Sequence, residues 1–154
     1  MEMHGERRIP APRDAVWAKL NDAETLKNCI PGCQELDKTS DTEFTAKVRA
    51  KVGPVSATFT GKVALTDLDP PNGYTISGEG QGGVAGFARG SAKVSLDQEG
   101  DETVLRYGVQ AQVGGKLAQI GSRLIDGTAR KMADDFFTRF VAAVSPSEGA
   151  SASD

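Results

Sequence analysis

The stretch Phe44–Leu65, FTAKVRAKVGPVSATFTGKVAL, alternates apolar or small side chains with polar ones on both sides of Gly53-Pro54. Successive side chains of a β-strand point to opposite faces, so this alternation is typical of a strand with one face in the core and one in water. Glycine and proline together favour a turn. The stretch therefore predicts two antiparallel strands joined by a tight turn, with lysine, arginine and threonine on the solvent face.

The same alternation continues on both sides of this hairpin, from Gln34 to Val113. Turn-forming residues at 69–73 and an acidic segment at 98–102 separate further strands, one of which is predicted over 84–96. Successive hairpins of this kind make a meander, and we expect about six antiparallel strands in this region.

Helical patterns flank the strands. Residues 2–9 predict a first strand, and residues 13–20 and 23–30 have the apolar spacing of two short helices. The 3.6-residue period returns after residue 115, where an apolar stripe runs from Leu117 to Val144. About 28 residues at 1.5 Å each predict one continuous helix about 40 Å long.

This order of elements predicts the fold class. A curved sheet with one apolar face needs a cover, and the C-terminal helix is the predicted element long enough to provide it. We therefore expect an α+β helix-grip fold, with a curved antiparallel sheet wrapped around a long C-terminal helix and two short helices after the first strand. One domain is expected over residues 1–144, and residues 145–154, SPSEGASASD, are expected to form a disordered polar tail.

The inward face of the predicted sheet is unusually poor in large side chains. Strand interiors normally favour β-branched and aromatic residues. The first half of the predicted helix is also rich in alanine and glycine, so the two walls favour an apolar cavity between them. The alternative is that the glycines only permit the sheet to curve. The small inward residues of the strands are Ala46, Ala50, Ala57, Gly61, Gly78, Gly80, Gly86, Ala88, Gly90, Ala92 and Ala111.

Composition limits the function. The chain has 154 residues and a net charge of −3, which argues against the basic footprint of a nucleic-acid-binding protein. No stretch approaches the roughly 18 apolar residues of a membrane-spanning helix. The N-terminal residues lack the apolar run of a signal peptide, so we expect a cytoplasmic protein. Two cysteines and one histidine are too few for a structural zinc site, and we expect no metal and no cofactor.

Several candidate catalytic or binding signals have simpler interpretations. Residues 78–83 match G-x-G-x-x-G, but the next segment is a predicted strand, whereas a dinucleotide site needs a helix there. Cys29 and Cys33 are interpreted as loop packing rather than as a redox or metal pair. His4 is expected to be a surface residue, since no nucleophile or base accompanies it in the sequence. The sequence therefore predicts a protein that is not an enzyme.

A set of short motifs resembles one family. The element order is similar to that of the START-like (SRPBCC) superfamily of helix-grip proteins, and the chain resembles the family within it that is named for the G subunit of carbon monoxide dehydrogenase. The resemblance implies an accessory role beside a molybdenum-containing carbon monoxide dehydrogenase or a related hydroxylase, which the family recruits to the membrane. The motifs are I-P-A-P at 9–12, C-I-P-G-C at 29–33, A-K-V-G-P at 50–54, D-P-P at 69–71, I-S-G-E-G at 76–80, G-F-A at 86–88, V-G-G-K-L-A at 113–118 and G-S-R-L-I-D at 121–126.

The leading hypothesis joins the cavity to this implied role. An apolar cavity would hold a quinone, lipid or fatty acid while the protein docks on the dehydrogenase, with peripheral contact at the inner face of the membrane. Two alternatives stay open: an adaptor whose cavity is incidental, and an enzyme of the cyclase or dehydratase type found in the superfamily. Polar groups converging in the cavity would favour the enzyme. The expected cavity-wall residues are Phe59, Val63, Ile76, Ala88, Ala92, Tyr107, Leu117, Ile120, Leu124 and Phe136.

Overall fold

In a computed structural model that describes residues 1–145, seven antiparallel strands form one sheet. The strands lie in the order β1-β7-β6-β5-β4-β3-β2, so β2 to β7 form the expected meander and β1 joins β7 at its far edge. The α+β helix-grip prediction is confirmed. The strands are β1 Glu2–Ile9, β2 Cys33–Ser40, β3 Glu43–Val52, β4 Val55–Asp69, β5 Gly73–Gln81, β6 Phe87–Glu99 and β7 Glu102–Gly114.

Strand register confirms which residues share the inward face. Val48 lies opposite Phe59 and Gly61 lies opposite Gly80, while Lys62 and Glu79 face each other on the outer surface. A shift of one residue would have reversed every one of these positions.

Burial follows this register, with differences at one end of the sheet. Phe44, Val94 and Leu105 are buried as expected. Val48 is only half-buried, and Lys47 is half-buried beside Glu35, with 3.4 Å between Nζ and Oε2. The sheet is therefore closely covered at one end and less so at the other.

The helices differ from the prediction at one point. Helices α1 (Arg13–Leu20) and α2 (Ala23–Cys29) follow β1 as expected, but the C-terminal helix is interrupted. A short helix α3 (Lys116–Gln119) ends before Gly121, whose φ of +104° is a conformation that glycine adopts readily. Helix α4 (Ser122–Val144) then runs for 23 residues, or about 35 Å. The prediction of one continuous helix from Leu117 was wrong, because apolar spacing carries no mark of a single left-handed residue.

The hydrophobic core lies at the C-terminal end of α4. Phe140 is fully buried, and Phe137 and Val144 are buried beside it in a cluster that includes Ile9 and Leu105. Arg7 of β1 pairs with Asp134 of α4. These contacts hold this half of the helix against the sheet.

Helices α1 and α2 close the same end of the molecule. The Tyr74 hydroxyl donates to the carbonyl oxygen of Leu20 at 3.4 Å, and Thr103 Oγ1 donates to that of Ala11 at 2.8 Å. The rings of Trp17 and Tyr74 lie 5.2 Å apart. Within residues 1–145, no helix is long and apolar enough to cross a membrane. The expected tail from residue 146 onward lies outside the described residues.

Candidate ligand-binding cavity

A cavity of about 770 Å³ separates the N-terminal half of α4 from the inner face of the sheet. Its volume falls within the roughly 300–1,000 Å³ of small-molecule sites, and its walls are mainly apolar. A larger depression of about 970 Å³ crosses the outer face, but charged side chains such as Lys62, Glu79 and Arg89 line it. The inner cavity is therefore the better candidate for an apolar ligand. Its lining residues are Met1, Val48, Ala50, Val52, Phe59, Phe87, Ala88, Ala111, Gln112, Val113, Leu117, Ala118, Ser122, Ile125, Asp126, Thr128, Ala129 and Met132.

Small side chains on both walls keep this space open. Ala50 lies opposite Ala57, and Ala88 lies between Gly80 and Val113 on the neighbouring strands. On the facing side, α3 and α4 present Ala118 and Ala129.

The glycines of the sheet serve two different purposes. A Cβ at Gly61 would overlap the carbonyl oxygen of Glu79, and one at Gly90 would lie 2.5 Å from that of Gln110, so backbone approach requires glycine there. A Cβ at Gly80 would instead make an ordinary contact, 3.5 Å from Phe59 Cβ. Close backbone approach thus explains the glycines at 61 and 90, whereas the glycine at 80 leaves the wall with less side-chain volume.

Two aromatic rings of the cavity lining, those of Phe59 and Phe87, pack directly against glycines. The Phe59 ring lies where a Cβ of Gly82 would be, and the Phe87 ring lies where a Cβ of Gly114 would be. Between these rings the chain makes a 3-10 turn over Gly83–Ala85. Val84, predicted as part of a strand, is 86% exposed in this turn. The strand prediction was wrong there because Gly83 and Gly86 have positive φ, which ends the extended backbone.

The structure separates the expected wall residues into three groups. Phe59, Ala88 and Leu117 line the cavity. Ile120 and Leu124 lie beside the β3–β4 turn, where a Cβ of Gly53 would be 3.4 Å from Ile120 Cγ2 and 3.2 Å from Leu124 Cδ1. The remaining five are half-buried and lie outside the cavity lining: Val63, Ile76, Ala92, Tyr107 and Phe136. Ligand contact by any of the ten stays a prediction.

The predicted helical stripe coincides with the cavity wall only in part. Thr128 and Met132 of that stripe line the cavity, whereas Leu124 lies beside the β3–β4 turn. Leu124 is 48% exposed, whereas Ile125, Ala129 and Met132 line the wall. Ile125 and Asp126 lie off the predicted stripe and were not expected at the wall.

Polar groups on the cavity wall are few. They include Ser122, Asp126 and Thr128 of α4 and Gln112 of β7. Asp126 is half-buried, and among the described lining residues it has the only charged side chain. The cavity can therefore exclude water from an apolar guest while offering it very few hydrogen-bonding partners.

The other sequence candidates lie away from the cavity. His4 is exposed on β1, as expected. The glycines at 78–83 lead into a 3-10 turn and then β6, so they lack the helix that a dinucleotide site requires. Cys29 is buried and Cys33 is half-buried; both are free thiols, and Cys33 Sγ donates to the carbonyl oxygen of Glu35 at 3.3 Å.

We expect the double variant Cys29→Ala/Cys33→Ala to lose about 1–3 kcal/mol of unfolding free energy and to keep ligand uptake. Burial raises the pKa of both thiols. The unfolded chain therefore ionises first as pH rises, and thiol titration favours unfolding above about pH 8.5. Urea denaturation at pH 7 and pH 10 should show this thiol-dependent loss in the wild type and not in the variant. Stoichiometric metal in the purified protein, or a redox-dependent activity absent from the variant, would contradict a purely structural role.

Comparison with known proteins agrees with this geometry. In sequence, residues 5–145 match the model of a family described as the G subunit of carbon monoxide dehydrogenase (CoxG). Among curated proteins, none matches the chain. A solved structure of a conserved protein from Geobacillus kaustophilus is similar, with 29% identity and a TM-score of 0.89 over 96% of this chain and 97% of that one.

Two more distant structures share the fold. A START superfamily protein from Mycobacterium smegmatis has 13% identity and a TM-score of 0.68, covering 93% of this chain and 96% of that one. The Zhui aromatase/cyclase from a Streptomyces species has 14% identity and a TM-score of 0.62, covering 94% of this chain and 93% of that one. At these identities the likeness concerns the fold alone.

Proposed function

Because the chain belongs to the CoxG family, named for the G subunit of carbon monoxide dehydrogenase, we propose that it is a non-catalytic accessory protein of a carbon monoxide dehydrogenase-type molybdenum hydroxylase. It binds a hydrophobic molecule, a quinone or another lipid, in the cavity between α4 and the sheet. Through that ligand it helps to couple the enzyme to the membrane. The partner enzyme and the membrane contact are proposed from family membership, and ligand binding is proposed from the cavity.

The observation that carries the ligand-binding proposal is the apolar cavity of about 770 Å³. Removing apolar ligand surface from water contributes about 25 cal/mol per Å². A ligand that buries about 300 Å² of apolar surface would thus gain about 7 kcal/mol before the costs of association. The walls already exist in the free protein, so little rearrangement opposes binding.

The polar groups of the cavity favour a carrier over an enzyme of the cyclase type. The single histidine lies on the outer side of β1. Both cysteines lie outside the cavity lining. The side chains of Asp126, Thr128 and Ser122 form no hydrogen bond with one another or with another side chain of residues 1–145. The lining therefore holds no hydrogen-bonded pair of base and nucleophile of the kind that covalent catalysis uses.

Filling the cavity tests the proposal. We expect Ala88→Phe to weaken the binding of the neutral fluorescent probe N-phenyl-1-naphthylamine, and of decylubiquinone competing with it, by at least about tenfold. The melting temperature should stay unchanged or rise, because a true cavity accepts volume that a packed core resists. Fluorescence titration and thermal denaturation of the same samples provide the two measurements.

Ala92→Phe is the matched comparison for Ala88→Phe. Ala92 lies on the same strand, half-buried between Ile76 and Val109 and outside the cavity lining. We expect overpacking there to cost about 1–3 kcal/mol of stability. Two results would contradict ligand carriage and favour the adaptor hypothesis. One is a wild type that takes up neither probe. The other is an Ala88→Phe variant that is as destabilised as Ala92→Phe and still binds both probes.

A further inference from the structure

Asp126 places a carboxylate on the wall of an otherwise apolar cavity. It lies near the start of α4, half-buried, between the lining residues Ile125 and Thr128. The other charged group at the lining is the Met1 ammonium, which donates to the carbonyl oxygen of Ala111 at 2.9 Å. Asp126 is therefore the charged side chain that a guest in the cavity would meet.

This carboxylate has no partner among the residues that the structure describes. Over residues 1–145, Asp126 forms neither a hydrogen bond nor an ion pair. Arg123 and Arg130, three residues before it and four after it on α4, are exposed and do not pair with it. The other two acids of this helix are paired, Asp134 with Arg7 and Asp135 with Lys131.

An unpaired carboxylate in the cavity wall favours some ligand head groups over others. An ionised carboxylate only accepts hydrogen bonds, and it loses solvation when an apolar ligand displaces water around it. A ligand that brings an O–H or N–H donor replaces the lost water. A ligand that brings its own carboxylate adds a like charge where water is excluded and screening is weak.

We propose that Asp126 makes the cavity reject fatty-acid carboxylates and favour uncharged apolar ligands, most of all those that carry a hydrogen-bond donor such as a hydroxyl group. This inference rests on the proposed ligand-binding function and narrows its ligand class. Fatty acids, included in the expectation from the sequence, are disfavoured by it. For a quinone ligand, we expect the reduced dihydroxy form to bind more tightly than the oxidised form, which offers only acceptors.

A series with one alkyl chain and different head groups tests the role of Asp126. Dodecanol, methyl dodecyl ether and dodecanoate compete at pH 8 for the site occupied by N-phenyl-1-naphthylamine. In the wild type we expect dodecanol to bind about threefold more tightly than the ether and at least about tenfold more tightly than dodecanoate. The three ligands also differ in water solubility, which affects their apparent affinities. The decisive quantity is therefore the change in the affinity ratios between the wild type and the Asp126 variants.

Asp126→Asn keeps the side-chain shape and removes the charge. We expect it to bring dodecanoate to within about threefold of dodecanol, mainly through tighter binding of dodecanoate. Asp101→Asn is the control: it removes the same charge from an exposed turn between β6 and β7 and should leave both wild-type ratios unchanged. Asp126→Ala should shift the dodecanoate ratio in the same direction and replaces Asp126→Asn if that variant does not fold.

Two results would overturn the inference, and they are distinguishable. If the probe binds and all ratios are the same in the wild type and in the Asp126 variants, the cavity holds ligands but Asp126 does not select them. If neither the probe nor any member of the series binds to the wild type, ligand carriage itself is wrong and the inference fails with it.

Discussion

We expect Phe140→Ala to lower the free energy of unfolding by about 3–5 kcal/mol, the usual cost of removing a buried phenylalanine from a packed core. Phe140 is fully buried, and its ring stacks on Phe136 with 5.5 Å between centroids. The surrounding cluster comes from the sheet, from α1 and α2 and from α4 itself, so it cannot collapse into the space through movement of one element. Urea denaturation with an unchanged m-value would measure the loss.

Leu124→Ala is the control on the same helix. Leu124 is 48% exposed beside the β3–β4 turn, and we expect its truncation to cost no more than about 1 kcal/mol. Equal losses in the two variants would mean that both halves of α4 are packed alike, contrary to the structure. The expected contrast would instead support a helix that is held at its C-terminal half and spans a cavity at its N-terminal half.

The second large effect is expected from Gly86→Ala, which should cost about 3 kcal/mol or more. Gly86 has φ +106° and ψ −148°, a region that is essentially restricted to glycine. An added Cβ would also overlap the carbonyl oxygen of Gly114. Backbone strain and a backbone clash therefore act together at the point where the β5–β6 connection touches the start of α3.

Gly83→Ala separates the two causes of this loss. Gly83 lies in the same connection with φ +63°, but a Cβ there would meet nothing within 4 Å. We expect it to cost about 1 kcal/mol, from the left-handed conformation alone. Thermal denaturation of both variants provides the measurement. If the Gly86→Ala variant were as stable as the Gly83→Ala variant, the β5–β6 connection would not be in close contact with Gly114 at the end of β7.

Local sequence patterns were sufficient for most of the sheet. The alternation over Phe44–Leu65 correctly assigned the inward and outward faces, because the two-residue period of a strand is a local property. The short turns between β2 and β7 pair these strands with their sequence neighbours, which produces the meander. Val84 was misassigned because its alternation continues through glycines whose positive φ ends the strand.

The candidate site was predicted less completely than the fold. Small residues such as Ala50 and Ala88 indicated a cavity against the first half of the helix, and the structure contains one there. Its helical wall was predicted only in part. Leu117 and Met132 of the predicted stripe line the cavity. Leu124 of the same stripe is 48% exposed, while Asp126, off that stripe, lines the cavity.

The sequence by itself determined the order of elements, the faces of the strands and the shortage of side-chain volume on the inner wall. These properties depend on residues within a few positions of one another, because side chains alternate with a period of 2 residues in a strand and of 3.6 residues in a helix. Only the tertiary structure decided which part of the concave face is filled and which stays open. That depends on how Phe137 and Phe140 meet residues of β1 and β7 such as Ile9 and Leu105, far away along the chain. Packing between distant segments thus places the core at one end of α4 and leaves the cavity, with Asp126, at the other.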